Sequence, residues 1–332
     1  MKHSIYSYSH AKGGLLNIGD HIQSLAAKQF LPSVDFYVDR DKPNADYENS
    51  KIIMNGWHTF DPQNYPPSKN LSPLLISYHL NPFYADKLLS RKECRDFFIQ
   101  NGPVGCRDYT TLEIFKKYNI DAYYSFCLTT TLGYSYSSNI KSNEIIINDP
   151  FYEFNQTHLY KASPARLAYH FLIGKTKTSL NLKKQRDLLN IAVPKTIQYN
   201  AIQTNHYVKF KNKNTDLMYE KADALLKRYA RAKCVVTSRI HCALPSLSMG
   251  TPVYFLFDGL SDQINHLSRL KGTIDHLNLL TTIPKDKIDT LFERDMNVIH
   301  PEEVTLDYPH DNPKSFEPFS EKLIQTCKGF IS

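Results

Sequence analysis

Short apolar or β-rich runs recur through the first 135 residues, at Ser4–Ser9, Val34–Val38, Lys51–Asn55, Leu74–His79, Pro103–Cys106 and Ala122–Phe126. Runs that are continuously apolar read as strands buried on both faces. Between them, helical spacing begins at Asp20 (His21–Phe30) and at Asp108 (Tyr109–Tyr118, stopping before Asn119). Strands alternating with helices imply a parallel sheet covered on both sides. The polar, Ser-rich segment Gly133–Asn143 breaks the pattern and reads as a linker.

A second series follows. Glu144–Asn148 reads as a strand, and Ser163–Ile173 as a helix with Ser163 as cap and Pro164 at its first position. Thr196–Tyr199 reads as a short strand, and Thr215–Ala232 as a helix capped by Thr215. Then come strand Cys234–Ser238, a short helix from His241 to Met249 closed by Gly250, and strand Val253–Phe257. His300–Pro318 is proline-rich and extended, and Phe319–Phe330 forms a last helix. The organisation expected is α/β: a Rossmann-like domain over 1–135, a second over 144–300 facing it across a cleft, and a tail over 301–332 packing back.

Composition narrows the function classes. A chain of 332 residues suits two cores, and 42% hydrophobic with 22% charged residues excludes a disordered chain. The net charge of +7 comes without a stripe of arginines interleaved with aromatics, which argues against nucleic acid as a partner. Small basic clusters stand at Lys175–Lys177, Lys183–Lys184 and Lys209–Lys213. A phosphorylated substrate or an anionic membrane surface explains the bias equally well. The six cysteines form no CxxC pair and no metal-ligand spacing, so they read as small hydrophobes in a reducing compartment. The N-terminus MKHSIYSYSH lacks a signal-peptide core, and no run approaches the roughly 18 apolar residues of a membrane span. The expected location is cytoplasmic, with contact at the inner face of the membrane.

In open α/β sheets, ligands bind beyond the carboxyl ends of the strands. Beyond Ser4–Ser9 comes HAKGGLLNIGDHIQ, where Asn17, Gly19 and Asp20 stand at a helix start that favours an anion. It is not GxGxxG, and Asp20 serves equally as a helix cap. Asn55 and Trp57 flank Gly56 at the end of Lys51–Asn55, where Trp57 is either a sugar-stacking face or a packing anchor. His79 ends the strand from Leu74, and Arg107 follows Pro103–Cys106 at a corner where it can grip a carboxylate or phosphate. The most informative segment is CVVTSRIHCALPSLSMGTPVYFLF: a buried strand runs into Ser238, Arg239, Ile240 and His241, and a helix starts at once. Arg239 supplies a permanent forked cation and His241 a group that changes protonation near neutral pH.

Four segments, Asn17–Gln23, Gly102–Asp108, Ser125–Gly133 and Ser238–Val253, together resemble the polysaccharide pyruvyltransferases. That resemblance implies a GT-B-like fold of two Rossmann-like domains. It implies transfer of the enolpyruvyl group of phosphoenolpyruvate onto two sugar hydroxyls, giving a cyclic pyruvate ketal and phosphate. It places Arg239 and His241 in the donor site, faced by Asn17, Asp20 and Arg107, with His241 as general acid and Asp20 or His79 as base. The acceptor is then a sugar of a polysaccharide or its lipid-linked precursor, and the chemistry needs no cofactor and no metal. A GT-B glycosyltransferase using a nucleotide-sugar, or a non-catalytic binding protein of polysaccharide assembly, stays open beside it.

Overall fold

A computed structural model describes residues 1–8, 15–58, 61–151, 164–209, 214–260, 267–305 and 307–332. The first half builds strands β1 (Lys2–Ser7), β2 (Leu15–Asn17), β3 (Phe36–Asp39), β4 (Ser50–His58), β5 (Leu71–Leu80), β6 (Val104–Cys106) and β7 (Ala122–Tyr124). Its helices are α1 (Ile18–Lys28), α2 (Pro82–Leu89), α3 (Lys92–Asn101) and α4 (Tyr109–Lys117), followed by the single turn α5 (Gly133–Tyr136). Six of these strands form a parallel sheet ordered β3-β1-β4-β5-β6-β7.

The second half runs β8 (Ile145–Asn148), α6 (Pro164–Leu172), α7 (Thr176–Ala192), α8 (Lys195–Asn200), β9 (Ala201–Thr204), β10 (Tyr207–Lys209), α9 (Thr215–Arg231), β11 (Cys234–Thr237), α10 (Ile240–Ser248) and β12 (Val253–Leu256). It closes with β13 (Asn278–Leu280), α11 (Lys285–Phe292), β14 (Val298–Ile299) and α12 (Glu317–Ile331). A second six-stranded parallel sheet results, ordered β14-β13-β12-β11-β8-β9. Strands β8, β11 and β12 are buried at every position, as a sheet covered on both faces requires.

The two sheets share a core. Alternate residues of the first sheet (Ile5, Ile53, Ile76) and of the second (Ile146, Val235, Phe255, Leu279) belong to one hydrophobic cluster with α1, α9 and α10. Their neighbours along the strands, such as Tyr6, Ile52 and Met54, or Ile145, Ile147 and Val236, pack in separate clusters on the outer faces. Helix α9 joins the shared core through Met218, Ala222, Leu226 and Tyr229, which recur at helical spacing on one face. The short strands β2 and β10 pair antiparallel across the two halves, Asn17 against Tyr207. The backbone N–H of Ile18 donates to the carbonyl of His206 at 2.7 Å beside them. Helix α12 returns to the first half, where the Lys51 ammonium donates to the carbonyl of Phe330 at 2.8 Å.

Several local expectations change. Thr196–Tyr199 is not a strand but the middle of α8, and the edge strand β9 follows it. Pro194 starts the helix, the side chain of Gln198 donates back to the carbonyls of Leu189 and Val193, and Ile197 is buried against β8. Tertiary burial of one apolar side chain per turn overrides a weak β preference. The cap of α1 is Asn17, whose Oδ1 accepts from the N–H of Gly19 at 3.1 Å, and Asp20 lies inside the first turn. The cap of α9 is Asn214 rather than Thr215. Ser163, Gly13 and Gly14 lie outside the described residues. All six cysteines are buried and free.

Candidate active site

A cavity of about 230 Å³ opens between the carboxyl ends of the two sheets. Its walls include Asn17, Gly19, Asp20, Trp57, His79, Arg107, Arg239 and His241, eight of the ten residues singled out in the sequence. The other two stand behind the wall. Asn55 is buried and its Nδ2 donates to the carbonyl of Gln23 at 2.9 Å. Ser238 is buried and its hydroxyl donates to the carbonyl of Asp149 at 2.7 Å.

The paired strands β2 and β10 explain how residue 19 meets residue 241. A Cβ on Gly19 would stand 3.2 Å from Asn17 Oδ1, 3.2 Å from His206 Nδ1 and 3.5 Å from His241 Cβ. The tightness at Gly19 comes from the close approach of Asn17, His206 and His241, not from its backbone angle, and a side chain there would push these neighbours by a few tenths of an ångström. Behind it, Gln23 links the first half of the site: its Nε2 donates to Asp20 Oδ1 at 3.3 Å, and its Oε1 accepts from Arg107 Nη1 at 3.2 Å. Gly56, at φ +95°, gives Gln23 room, since a Cβ there would lie 2.6 Å from Oε1.

Arg239 caps the start of α10 without using its side chain as the cap. Its Nε donates to Asp149 Oδ2 at 2.9 Å, and its guanidinium lies 4.5 Å from the Tyr207 ring centre. Asp149, just past β8 at φ +38°, also accepts from the backbone N–H of His206 at 2.9 Å. The pair is buried, Arg239 at 4% exposure and Asp149 at 1%, so the carboxylate holds the fork in one orientation.

Arg107 is 2% exposed, and its Nη1 donates to His241 Nε2 at 3.2 Å. The nearest carboxylate, Asp108, stands 3.8 Å from its Nε and is already engaged by His79 Nδ1 at 2.5 Å. His241 accepts from a guanidinium, so it is neutral in this state. Burial, and then the charges of Arg107, Arg269 and Arg239, hold its pKa well below the usual histidine value. Burial also lowers the pKa of His79, against the opposing pull of Asp108. With Nδ1–H held by the Asp108 carboxylate, the other nitrogen of His79 is left as the basic one. His206 is driven down to about 3 by burial, its Nε2 meets the Tyr229 hydroxyl at 3.1 Å, and its buried Nδ1 has no hydrogen-bond partner.

Besides Ile240, which lies between Arg239 and His241, four wall residues were not singled out in the sequence: Arg40, Asn81, His206 and Arg269. Arg40 follows β3 directly, so the strand-end rule that found Arg107 also points to it. It is 3% exposed, paired with Asp20 at 3.6 Å and Asp41 at 3.2 Å, and lies 5.2 Å from the Trp57 ring centre. Trp57 thus covers a guanidinium at the cavity edge. His206 follows β9, whose misplacement hid it. Arg269 belongs to a stretch with no local pattern to flag it. Among the described residues, no group of three His, Cys, Asp or Glu side chains is arranged to hold a metal ion.

Two parallel sheets meeting at a cleft walled by arginines and histidines define an α/β protein with a candidate site at the carboxyl ends of its strands. The chain belongs to the polysaccharide pyruvyl transferase family, whose profile matches residues 17–256. Its role is therefore that of a pyruvyltransferase in polysaccharide biosynthesis. A crystal structure described as that of a functionally uncharacterized protein from Klebsiella pneumoniae subsp. pneumoniae is similar at 14% identity. That likeness covers 81% of this chain and 87% of the other, with a TM-score of 0.44, too low to carry an argument. No curated protein matches the chain. No helix among the described residues is long and apolar enough to cross a membrane.

Proposed function

We propose that this protein transfers the pyruvyl group of phosphoenolpyruvate to two hydroxyls of a polysaccharide sugar or its lipid-linked precursor, forming a cyclic ketal, within a GT-B-like pair of Rossmann-like domains. The observation that carries this reading is the Arg107–His241 contact, in which a buried cation is turned onto a neutral imidazole inside a cavity walled by three further arginines. The donor bears a carboxylate and a phosphate, which are the groups such a wall serves.

In this reading the anion draws Arg107 away from His241 and raises the His241 pKa, so the imidazole takes up a proton. Protonated His241 then delivers it to the methylene carbon of the donor, and the central carbon becomes electrophilic. A sugar hydroxyl attacks that carbon and gives its proton to His79, which Asp108 orients. The carbon–oxygen bond to phosphate breaks with its electron pair on the phosphate. A neighbouring hydroxyl attacks the same carbon to close the ring and passes its proton to the departed phosphate, while the proton on His79 leaves to solvent. Asp20 is held by Arg40 and Gln23, so it orients rather than accepts. Arg239, fixed by Asp149, and the partnerless Nδ1 of His206 complete the donor wall.

The test is incubation with phosphoenolpyruvate and a lipid-linked oligosaccharide, followed by phosphate release and by mass spectrometry for a gain of one pyruvate less one water. Thermal stabilisation by phosphoenolpyruvate, about 2.7 kcal/mol at a hundredfold excess over Kd, should accompany it. Stabilisation by nucleotide-sugars alone would replace this reading with a glycosyltransferase.

A further inference from the structure

Sixteen large hydrophobic side chains are exposed among the described residues, and eight of them fall between positions 169 and 202. Phe171 is 62% exposed, Leu172 81% and Leu180 66%. Six of the eight, Tyr169 to Ile191, lie in α6, α7 and the turn between them, part of the crossover that leaves the second sheet after β8 and returns at β9. From residue 165 to residue 184 every described side chain is exposed, and burial begins only at Gln185. Beyond that point Leu189, Ala192, Val193 and Ile197 pack on Ile145 and Ile147. The base of the α6–α7 hairpin is therefore anchored in the fold, while its outer part carries apolar surface that no described residue covers.

The charge in this stretch is as concentrated as the apolar surface. Residues 164–202 hold seven lysines and arginines against the single acid Asp187, a net +6 out of +7 for the whole chain. Lys175, Lys183 and Lys184 are exposed beside Phe171, Leu172, Ile173 and Leu180. The hairpin itself, residues 164–192, holds six of the seven basic residues and Asp187, so a second copy would set +5 against +5 across the contact. Nucleic acid would neutralise the lysines but leave the apolar side chains in water. An anionic bilayer serves both, with apolar side chains entering the headgroup boundary and ammonium groups lying at the phosphates.

We propose that the α6–α7 hairpin docks the protein onto an anionic lipid surface. This rests on the hairpin alone and stands whether or not phosphoenolpyruvate is the donor. The test is co-sedimentation of the full chain with vesicles of phosphatidylcholine alone or mixed with phosphatidylglycerol, in low and high salt. The protein should pellet with the anionic vesicles in low salt and stay in solution with the zwitterionic ones. The double variant L172S/I173S and the triple variant K175E/K183E/K184E should each lower partition at least about tenfold with unchanged melting temperature. Tyr308→Ser, which removes an equally exposed ring elsewhere, should not lower it. Wild-type partition in both multiple variants, or no binding to anionic vesicles, would overturn the proposal. A dimer in light scattering that L172S/I173S dissociates, without vesicle binding, would assign the surface to a second copy instead.

Discussion

The cleft and the α6–α7 hairpin are both rich in cations and carry them in opposite ways. In the cleft, Arg40, Arg107 and Arg239 are at most 4% exposed and each has a carboxylate within 4 Å. The four arginines of the wall are offset by Asp20, Asp41, Asp108 and Asp149, so the region has almost no net charge and its cations are fixed in direction. In the hairpin, six basic residues accompany one acid, and Lys175, Lys183 and Lys184 are exposed to solvent. Buried charges held by carboxylates select a ligand by geometry, whereas exposed charges of one prevailing sign attract a surface by their field. Most of the net positive charge of the chain, +5 of +7, thus lies in the hairpin rather than in the site.

The sharpest way to separate the two regions is His241→Ala. Turnover, followed as phosphate release, should fall by about 10²–10⁴ while vesicle partition stays unchanged. Near-wild-type turnover would remove the acid role. The next effect is on stability. Asp149→Ala leaves Arg239 buried without its carboxylate and should cost about 3–5 kcal/mol in denaturant unfolding. Lys175→Ala in the hairpin should stay within about 0.5 kcal/mol. Equal costs would mean that the Asp149–Arg239 pair does not hold the cleft together.

Acid should weaken the fold from within. His206 is depressed to about 3 and His276 to about 4, in each case chiefly by burial. Between those values and the unfolded value of about 6.5 the unfolded chain binds more protons, so stability rises with pH across that window and falls on acidification. The melting temperature at pH 5 should therefore lie below that at pH 7; the reverse order would contradict the neutral state assigned to these rings. The smallest effect is the most diagnostic for the cleft. Binding of phosphoenolpyruvate at pH 7 should take up roughly one proton per site, read as a dependence of the binding heat on buffer ionisation, because the anion reverses the field on His241. Vesicle binding should take up none.

Much of this was legible in the chain. The strand-end rule pointed to Arg107, Arg239 and His241 because Arg107 directly follows β6, while Arg239 and His241 stand within four residues of the end of β11, at the start of α10. The same rule applied to β3 and β8 points to Arg40 and Asp149. His206 escaped because Thr196–Tyr199 looked like a strand and the true edge strand begins only at Ala201. Nothing local marks Arg269. The hairpin's lysines were visible, but their exposure was not, since a helical pattern alone does not say whether its apolar face meets a sheet or solvent.

The sequence by itself determined the α/β alternation, the Arg239–His241 turn and the basic composition of residues 164–202. Its signals act over a few residues, through caps, spacing and strand ends. Only the tertiary structure decided which charges oppose one another. Arg107 and His241 are 134 positions apart, and Arg239 and Asp149 are 90. Their contacts follow from two sheets sharing one core and from β2 pairing with β10, and this packing makes His241 a neutral acceptor of the Arg107 hydrogen bond.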